Sequence, residues 1–293
     1  MNTIMNRVKP GSIVVGVDGS AAGDVALKWA VEHATSRRRP LVIVHGAGDP
    51  RNSSEFLGTV EAARVLRKAA RRVTDKALST VRTLAPDLDV QVIVRLRDPR
   101  FALLELSDGA SMLVVGTRGH GPVRALLLGS VSVAVATHSS CPVAVIRRTS
   151  AGPGVAVGHV VVGIDAGPLS SAALEFAFEM ASTEHRDLDV VHNWSTNDTF
   201  IDSTSYEQRV AHTDTHHHML IEALSGYAEK YPDVTVHRHL PDGAPAATLG
   251  AISQTAAAVV VGSRGRSGMK GLLGSVSRSV VERAQCTVIV VRS

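Results

Sequence analysis

The chain repeats itself, and that repetition limits its fold more than any other feature. Ser12-Ile13-Val14-Val15-Gly16-Val17-Asp18-Gly19 returns as His159-Val160-Val161-Val162-Gly163-Ile164-Asp165-Ala166, 147 residues later. Leu41-Val42-Ile43-Val44-His45 returns as Leu188-Asp189-Val190-Val191-His192 at the same offset. Leu113 to Gly119 returns as Val259 to Gly265 at an offset of 146, and Gly129-Ser130-Val131-Ser132 as Gly274-Ser275-Val276-Ser277 at 145. Cys141-Pro142-Val143-Ala144-Val145 closes the first copy, as Cys286-Thr287-Val288-Ile289-Val290 closes the second. Matched blocks in one order, with an offset that drifts by only two residues, mark a duplicated domain. The 293 residues then divide into a first domain over 1–148, a Gly/Pro/Ala-rich linker over 149–158 and a second domain over 159–293.

Inside one copy the hydrophobic period alternates. Ile13–Val17 is a β-branched run of the buried-strand type, and the stretch from Ala22 to Thr35 sets Val25, Leu27, Trp29, Ala30 and Ala34 at helical spacing. Further strands are predicted at Leu41–His45, Val90–Leu96, Met112–Val115 and Val143–Ile146. Helices are predicted over Glu61–Leu84, over Pro99–Ser107 with proline in the first turn, and over Ser130–His138. Strand–helix alternation with near-continuous apolar strands predicts an α/β fold: two tandem, doubly wound, five-stranded parallel sheets with helices on both faces. Aromatic residues make up 3% of the chain, so both cores must be aliphatic.

Several function classes fall away. A net charge of +4 is mild, and the basic group Arg64, Arg67, Lys68, Arg71 and Arg72 has the spacing of one solvated helix face. So few aromatics leave few stacking platforms for single-stranded nucleic acid, and nucleic acid is not an expected partner. Cys141 and Cys286 have neither metal-type nor disulfide-scaffold spacing and read as buried packing. Met1 to Pro10 lacks the apolar region of a secretion signal, and no apolar run reaches about 18 residues. A soluble cytoplasmic protein with no membrane partner is the expectation.

In doubly wound sheets ligands sit beyond the carboxyl ends of the strands, where the strand order reverses. Three motifs of the first copy fall there. Gly16-Val17-Asp18-Gly19-Ser20 follows the first strand, and its carboxylate can accept from a ribose hydroxyl or cap the next helix. Gly116-Thr117-Arg118-Gly119-His120-Gly121 follows the fourth strand, with glycines that let backbone N–H groups approach an anion. Gly129-Ser130-Val131-Ser132 opens a helix, whose N-terminus offers free donors to phosphate. The second copy supplies Gly163-Ile164-Asp165, then Gly262-Ser263-Arg264-Gly265-Arg266-Ser267-Gly268, then Gly274-Ser275-Val276-Ser277. No catalytic residue is assigned.

The spacing Gly116-x2-Gly119-x9-Gly129-Ser130 resembles the G-2x-G-9x-G-[ST] pattern of the ATP-binding branch of the universal stress protein family. The pieces Val-Val-Gly-Val-Asp-Gly-Ser, Val-Val-His and Cys-Pro-Val-Ala-Val-Ile are similar to that family as well, and the resemblance covers nearly the whole chain twice, as in tandem bacterial members. It implies ATP, with magnesium as its companion ion, Asp18 near the ribose or adenine, and the two glycine motifs around the phosphates. Arg118 and Arg124 can add charge there. Asp198 resembles a position that touches nucleotide in some tandem members. The resemblance also implies a pseudo-dimer of the two domains through their fifth strands, Val143–Ile146 and Val288–Val291, and admits a homodimer of the whole chain. The implied role is a nucleotide-dependent regulator of stress response or growth arrest, with slow ATP hydrolysis at most. The alternatives are a scaffold of the branch that lacks nucleotide and, further off, an adenylylating enzyme, whose S-G-G-x-D-S and H-I-G-H loops are absent from this sequence.

The second copy departs from the pattern. Eight residues, not nine, lie between Gly265 and Gly274, so Gly274-Ser275 is expected to be displaced or its loop tightened. Ala166-Gly167-Pro168 replaces Gly19-Ser20-Ala21. His212 and His216 stand at i, i+4 and could share an ion, but His216, His217 and His218 point around a helix, and the group reads as solvated rather than as a metal site. His45 and His192 close their strands as wall or core residues.

Overall fold

The computed structural model describes residues 8–53, 59–117, 129–147, 158–194, 206–264 and 272–292. The chain separates into two compact units, Met1–Gly154 and Val155–Ser293. In the first, the elements are β1 Ser12–Gly16, α1 Ala21–Ser36, β2 Leu41–Gly46, α2 Thr59–Leu84, β3 Val90–Arg95, α3 Pro99–Leu104, β4 Ala110–Gly116, α4 Ser130–His138 and β5 Val143–Ile146. Its strands are parallel in the order β3-β2-β1-β4-β5. The second unit has β6 Val160–Gly163, α5 Ser171–Glu184, β7 Leu188–Val191, α6 Tyr206–Ala223, α7 Tyr227–Lys230, β8 Val236–His239, α8 Pro245–Ile252, β9 Ala258–Gly262, α9 Ser275–Arg283 and β10 Thr287–Val291. Its order, β8-β7-β6-β9-β10, is the same topology and again all parallel.

The cores are mainly aliphatic, as composition demands, with Phe178 buried in the second. Val14 and Val15 of β1 and Val160, Val161 and Val162 of β6 are fully buried. Helix α1 buries Ala26, Leu27, Ala30, Val31, His33 and Ala34, and α5 buries Ala173, Leu174, Ala177, Phe178, Met180 and Ala181. These positions correspond one to one at the repeat offset of 147. Burial holds the His33 side chain near pKa 3, with Arg37 adding to the effect. Helix α2 turns Ala62, Ala70, Thr74, Ala77 and Val81 inward, a stripe at helical spacing, while Arg64, Arg67, Lys68, Arg71 and Arg72 are exposed.

Helices α1 and α2 pack on each other and on the sheet, as do α3 and α4. Helix α3 is shorter than its hydrophobic pattern predicts. It ends at Leu104, and a 3₁₀ turn follows at Ser107–Gly109. The Ser107 hydroxyl donates back to the Leu104 carbonyl at 2.7 Å, a local bond that competes with helix continuation.

Candidate functional site

From β1 the chain moves outward through β2 to β3, then returns to the opposite side of β1 as β4. The reversal opens a crevice above the carboxyl ends of β1 and β4, where Gly16 and Gly116 stand. Gly16, Val17, Asp18, Gly116, Gly129, Ser130, Val131 and Ser132 line one cavity of about 330 Å³ there. In the second unit, Gly163, Ile164, Asp165, Gly262, Arg264, Gly274, Ser275, Val276 and Ser277 line a cavity of about 420 Å³ at the equivalent crevice.

Local structure explains each position. The Asp18 Oδ1 accepts from the Ser20 N–H at 2.9 Å, and the Ser20 Oγ accepts from the Gly23 N–H at 3.1 Å, which caps α1. Gly19 between them has φ of +82°, a left-handed turn that suits glycine. In the second unit the Asp165 Oδ1 accepts from the Gly167 N–H at 3.0 Å and from the Ser170 hydroxyl at 2.6 Å. Ser170 sits at the N-cap of α5 but makes no side-chain cap bond to that helix. Its hydroxyl serves the carboxylate instead, and Ala166 takes the left-handed turn at φ +53°. Gly19, Ser20, Thr117 and Ser263 thus build the turns behind the cavities without lining them.

The phosphate-type motifs converge identically in the two units. The Gly129 N–H donates to the Thr117 carbonyl at 2.8 Å, and the Gly274 N–H to the Ser263 carbonyl at 2.9 Å. The Ser132 hydroxyl donates to the Gly116 carbonyl and the Ser277 hydroxyl to the Gly262 carbonyl, each at 2.6 Å. The helix start is therefore not displaced by the missing residue in the second loop. Both helices begin at a glycine N-cap, which has no side chain to cap them, and the first three residues of each helix line the cavity. Arg118, Gly119, His120, Gly121, Arg124, Asp198, Gly265, Arg266, Ser267 and Gly268 lie outside the described residues.

Sequence motifs did not reveal the other wall. Pro99 and Leu103 of α3, with Val44 of β2, give the first cavity an apolar side. Pro245 and Leu249 of α8, with Val191 of β7, do so in the second. The proline at each helix start was the available signal. A Cβ on Gly163 would meet Leu249 Cδ1 at 2.7 Å, and one on Gly16 would meet Leu103 Cδ1 at 3.1 Å, so these glycines let the apolar helix close on the strand end.

The histidines differ. The His45 Nδ1 lies 2.7 Å from the Val17 carbonyl, and the His192 Nδ1 lies 3.1 Å from the Ile164 carbonyl. A carbonyl only accepts, so each Nδ1 carries the proton. The His192 Nε2 lies 3.0 Å from the His216 Nδ1, and in a neutral pair His216 is then the donor, leaving its Nε2 as an acceptor. His216 comes from α6 to line the second cavity. His217 and His218 beside it are exposed.

The model of the Universal stress protein family matches residues 11–147 and again 157–292. A universal stress protein of Mycolicibacterium smegmatis is 35% identical over 290 residues, covering 96% of both chains. One from Mycobacterium tuberculosis strain H37Rv is 35% identical over 298 residues, covering 97% of this chain and 98% of its own. Among solved structures, a universal stress protein of Archaeoglobus fulgidus matches with a TM-score of 0.70 at 21% identity, over 97% of each chain.

Proposed function

Because this chain belongs to the universal stress protein family in both of its halves, we propose that it is an ATP-binding regulator with one adenine-nucleotide site per half. One observation carries the reading. In each unit a single cavity is bounded by a carboxylate, an uncapped helix N-terminus and an apolar wall. Those are the three chemistries that a nucleoside phosphate presents in reverse: ribose hydroxyls, phosphate anions and a flat heteroaromatic base. The volumes, about 330 and 420 Å³, are those of small-ligand pockets.

In this reading Asp18 and Asp165 hold the ribose, and the N-termini of α4 and α9 receive the phosphates. The Pro99–Leu103 and Pro245–Leu249 walls cover the base. Arg264 adds positive charge in the second half, and magnesium, when bound with ATP, neutralises phosphate charge. Each described lining carries one carboxylate. Fast phosphoryl transfer draws on a carboxylate–metal set, so the reading is of a nucleotide switch with slow hydrolysis at most. A cytoplasmic setting, where ATP is abundant, goes with it.

One observation favours a scaffold that keeps the motif for packing. A Cβ on Gly116 would stand 2.7 Å from the Ala22 carbonyl oxygen, so that glycine is required by α1 whether or not a nucleotide binds.

The test is the nucleotide content of the purified chain, by chromatography after denaturation, together with calorimetric titration of ATP. Two sites per chain are expected. Asp18→Asn and Asp165→Asn should each weaken one site about tenfold or more, the loss of a charged hydrogen bond. A chain that carries no nucleotide and takes up none would favour the scaffold.

A further inference from the structure

On one face of the second sheet, away from the crevice, three imidazoles and two carboxylates meet. In the strand registers Val161 stands beside Asp189, and Asp189 beside His237. Side chains alternate along a strand, so His159, Asp187 and His239, each two residues from one of these, share that face. The His159 Nδ1 lies 3.2 Å from the Asp189 Oδ2, the His239 Nε2 lies 3.0 Å from the Asp189 Oδ1, and the His237 Nε2 lies 2.9 Å from the Asp187 Oδ2. The rings of His159 and His237 stack, with centroids 5.1 Å apart and planes 13° from parallel. One ligand atom from each of His159, Asp189 and His237 lies within 4.8 Å of the other two.

The repeat shows that the fold does not require this cluster. At the corresponding positions the first half has Ser12, Val42 and Gln91. Val42 is 1% exposed, whereas Asp189 puts a carboxylate, 19% exposed, on the same strand position. A carboxylate on a sheet face, met by imidazoles from the strands on both sides, is the donor set of a metal site.

We infer that His159, Asp189 and His237 form a binding site for one divalent transition-metal ion of the zinc class. Bonds of about 2.0–2.2 Å in a tetrahedron set ligand atoms roughly 3.3 Å apart. The His159–Asp189 pair is already at 3.2 Å, and the His237 ring, with a nitrogen within 4.8 Å of both, would complete the set on leaving Asp187. His239, hydrogen-bonded to the other Asp189 oxygen, orients that carboxylate. The His159 and His237 side chains are each more than two-fifths exposed, so an ion can enter from solvent. The ion would tie β6 and β7 to the edge strand β8. It stands apart from the nucleotide reading, since none of His159, Asp189 and His237 lines the second cavity, whose wall residue Val191 is two residues, about 7 Å, further along β7.

The experiment uses the full chain stripped with a chelator and titrated with ZnCl2 by calorimetry in a non-coordinating buffer. One ion per chain is expected. Asp189→Asn and His237→Gln should each weaken uptake by at least about tenfold, while the thermal transition of the metal-free chain stays cooperative and serves as the folding control. If Asp189→Asn fails to fold, His237→Gln on the edge strand carries the test alone. The triple variant H216Q/H217Q/H218Q should keep the ion. Failure of the wild-type chain to saturate with zinc overturns the proposal. So does uptake that survives His237→Gln but is lost in the triple variant, which would put the ion on α6.

Discussion

At Gly116, the last residue of β4, a Cβ would stand 2.7 Å from the Ala22 carbonyl oxygen; at Gly262, the last residue of β9, the nearest atom is the Arg264 carbonyl oxygen at 3.3 Å. The two glycines hold the same motif position in the two halves. One is held hard against a neighbouring helix, and the other is tight by only a few tenths of an ångström against its own loop. A motif glycine can therefore be held by packing more tightly in one copy than in the other, and the spacing pattern does not distinguish the two. The neighbouring turns differ in the same way. The first half caps α1 with Ser20, whereas the second half moves the Ser170 hydroxyl onto Asp165 and accepts an alanine in a left-handed turn.

The largest contrast should appear on substituting those glycines. Gly116→Ala must push the α1 backbone and is expected to destabilise the first half by about 2–3 kcal/mol, as overpacking does. Gly262→Ala should cost under about 1 kcal/mol. Urea unfolding followed by tryptophan fluorescence separates the halves, because Trp29 and Trp194 are the chain's two tryptophans, one in each half. Equal losses in the two variants would remove the distinction drawn here.

Acid should also divide the halves. His33 is buried with its pKa lowered to about 3, stacked on Trp29 with ring centroids 4.4 Å apart, and its counterpart in α5 is Met180. A folded-state pKa below the unfolded value means that the unfolded chain binds the extra proton. Stability is then full above the unfolded histidine value and falls as pH drops from about 6.5 toward 3. At pH 5 the penalty is about 2 kcal/mol. The Trp29 transition should move to lower urea between pH 7 and pH 5 more than the Trp194 transition does. His33→Met should abolish the difference, and an unchanged pH response in that variant would assign the sensitivity to other groups.

The smallest effects belong to the left-handed turns. Gly19→Ala should cost about 1 kcal/mol, and Ala166→Gly should gain up to about that much, because only the alanine is strained at positive φ. Thermal melts of the paired variants would check this, and shifts of the same sign in both would contradict it.

Much of this molecule was legible along the chain. The duplication, the order of strands and helices, and the location of Gly116 at a strand end and of Asp18 and Gly129 beyond strand ends follow from period and repeat, which are local properties. Of the two readings of the shorter second loop, a displaced Gly274 or a tightened loop, displacement did not hold, because the Gly274 N–H bond to Ser263 and the Ser277 bond to Gly262 fix the helix start from the strand side. Loop length alone could not reveal those anchors. The apolar walls of Leu103 and Leu249 were not legible, since a period says that a residue is buried and not which strand end it covers.

The sequence by itself determined the two-copy α/β architecture, because alternating periodicities permit few other folds, and it determined which residues end the strands of the crevice. Tertiary structure alone decided what those ends meet. His216 reaches His192 from 24 residues away, and His159, Asp189 and His237 come together from three strands whose sequence separations are 30 and 48 residues. Lateral strand register makes such neighbours, and register is set by the packing of whole faces rather than by any residue's near sequence.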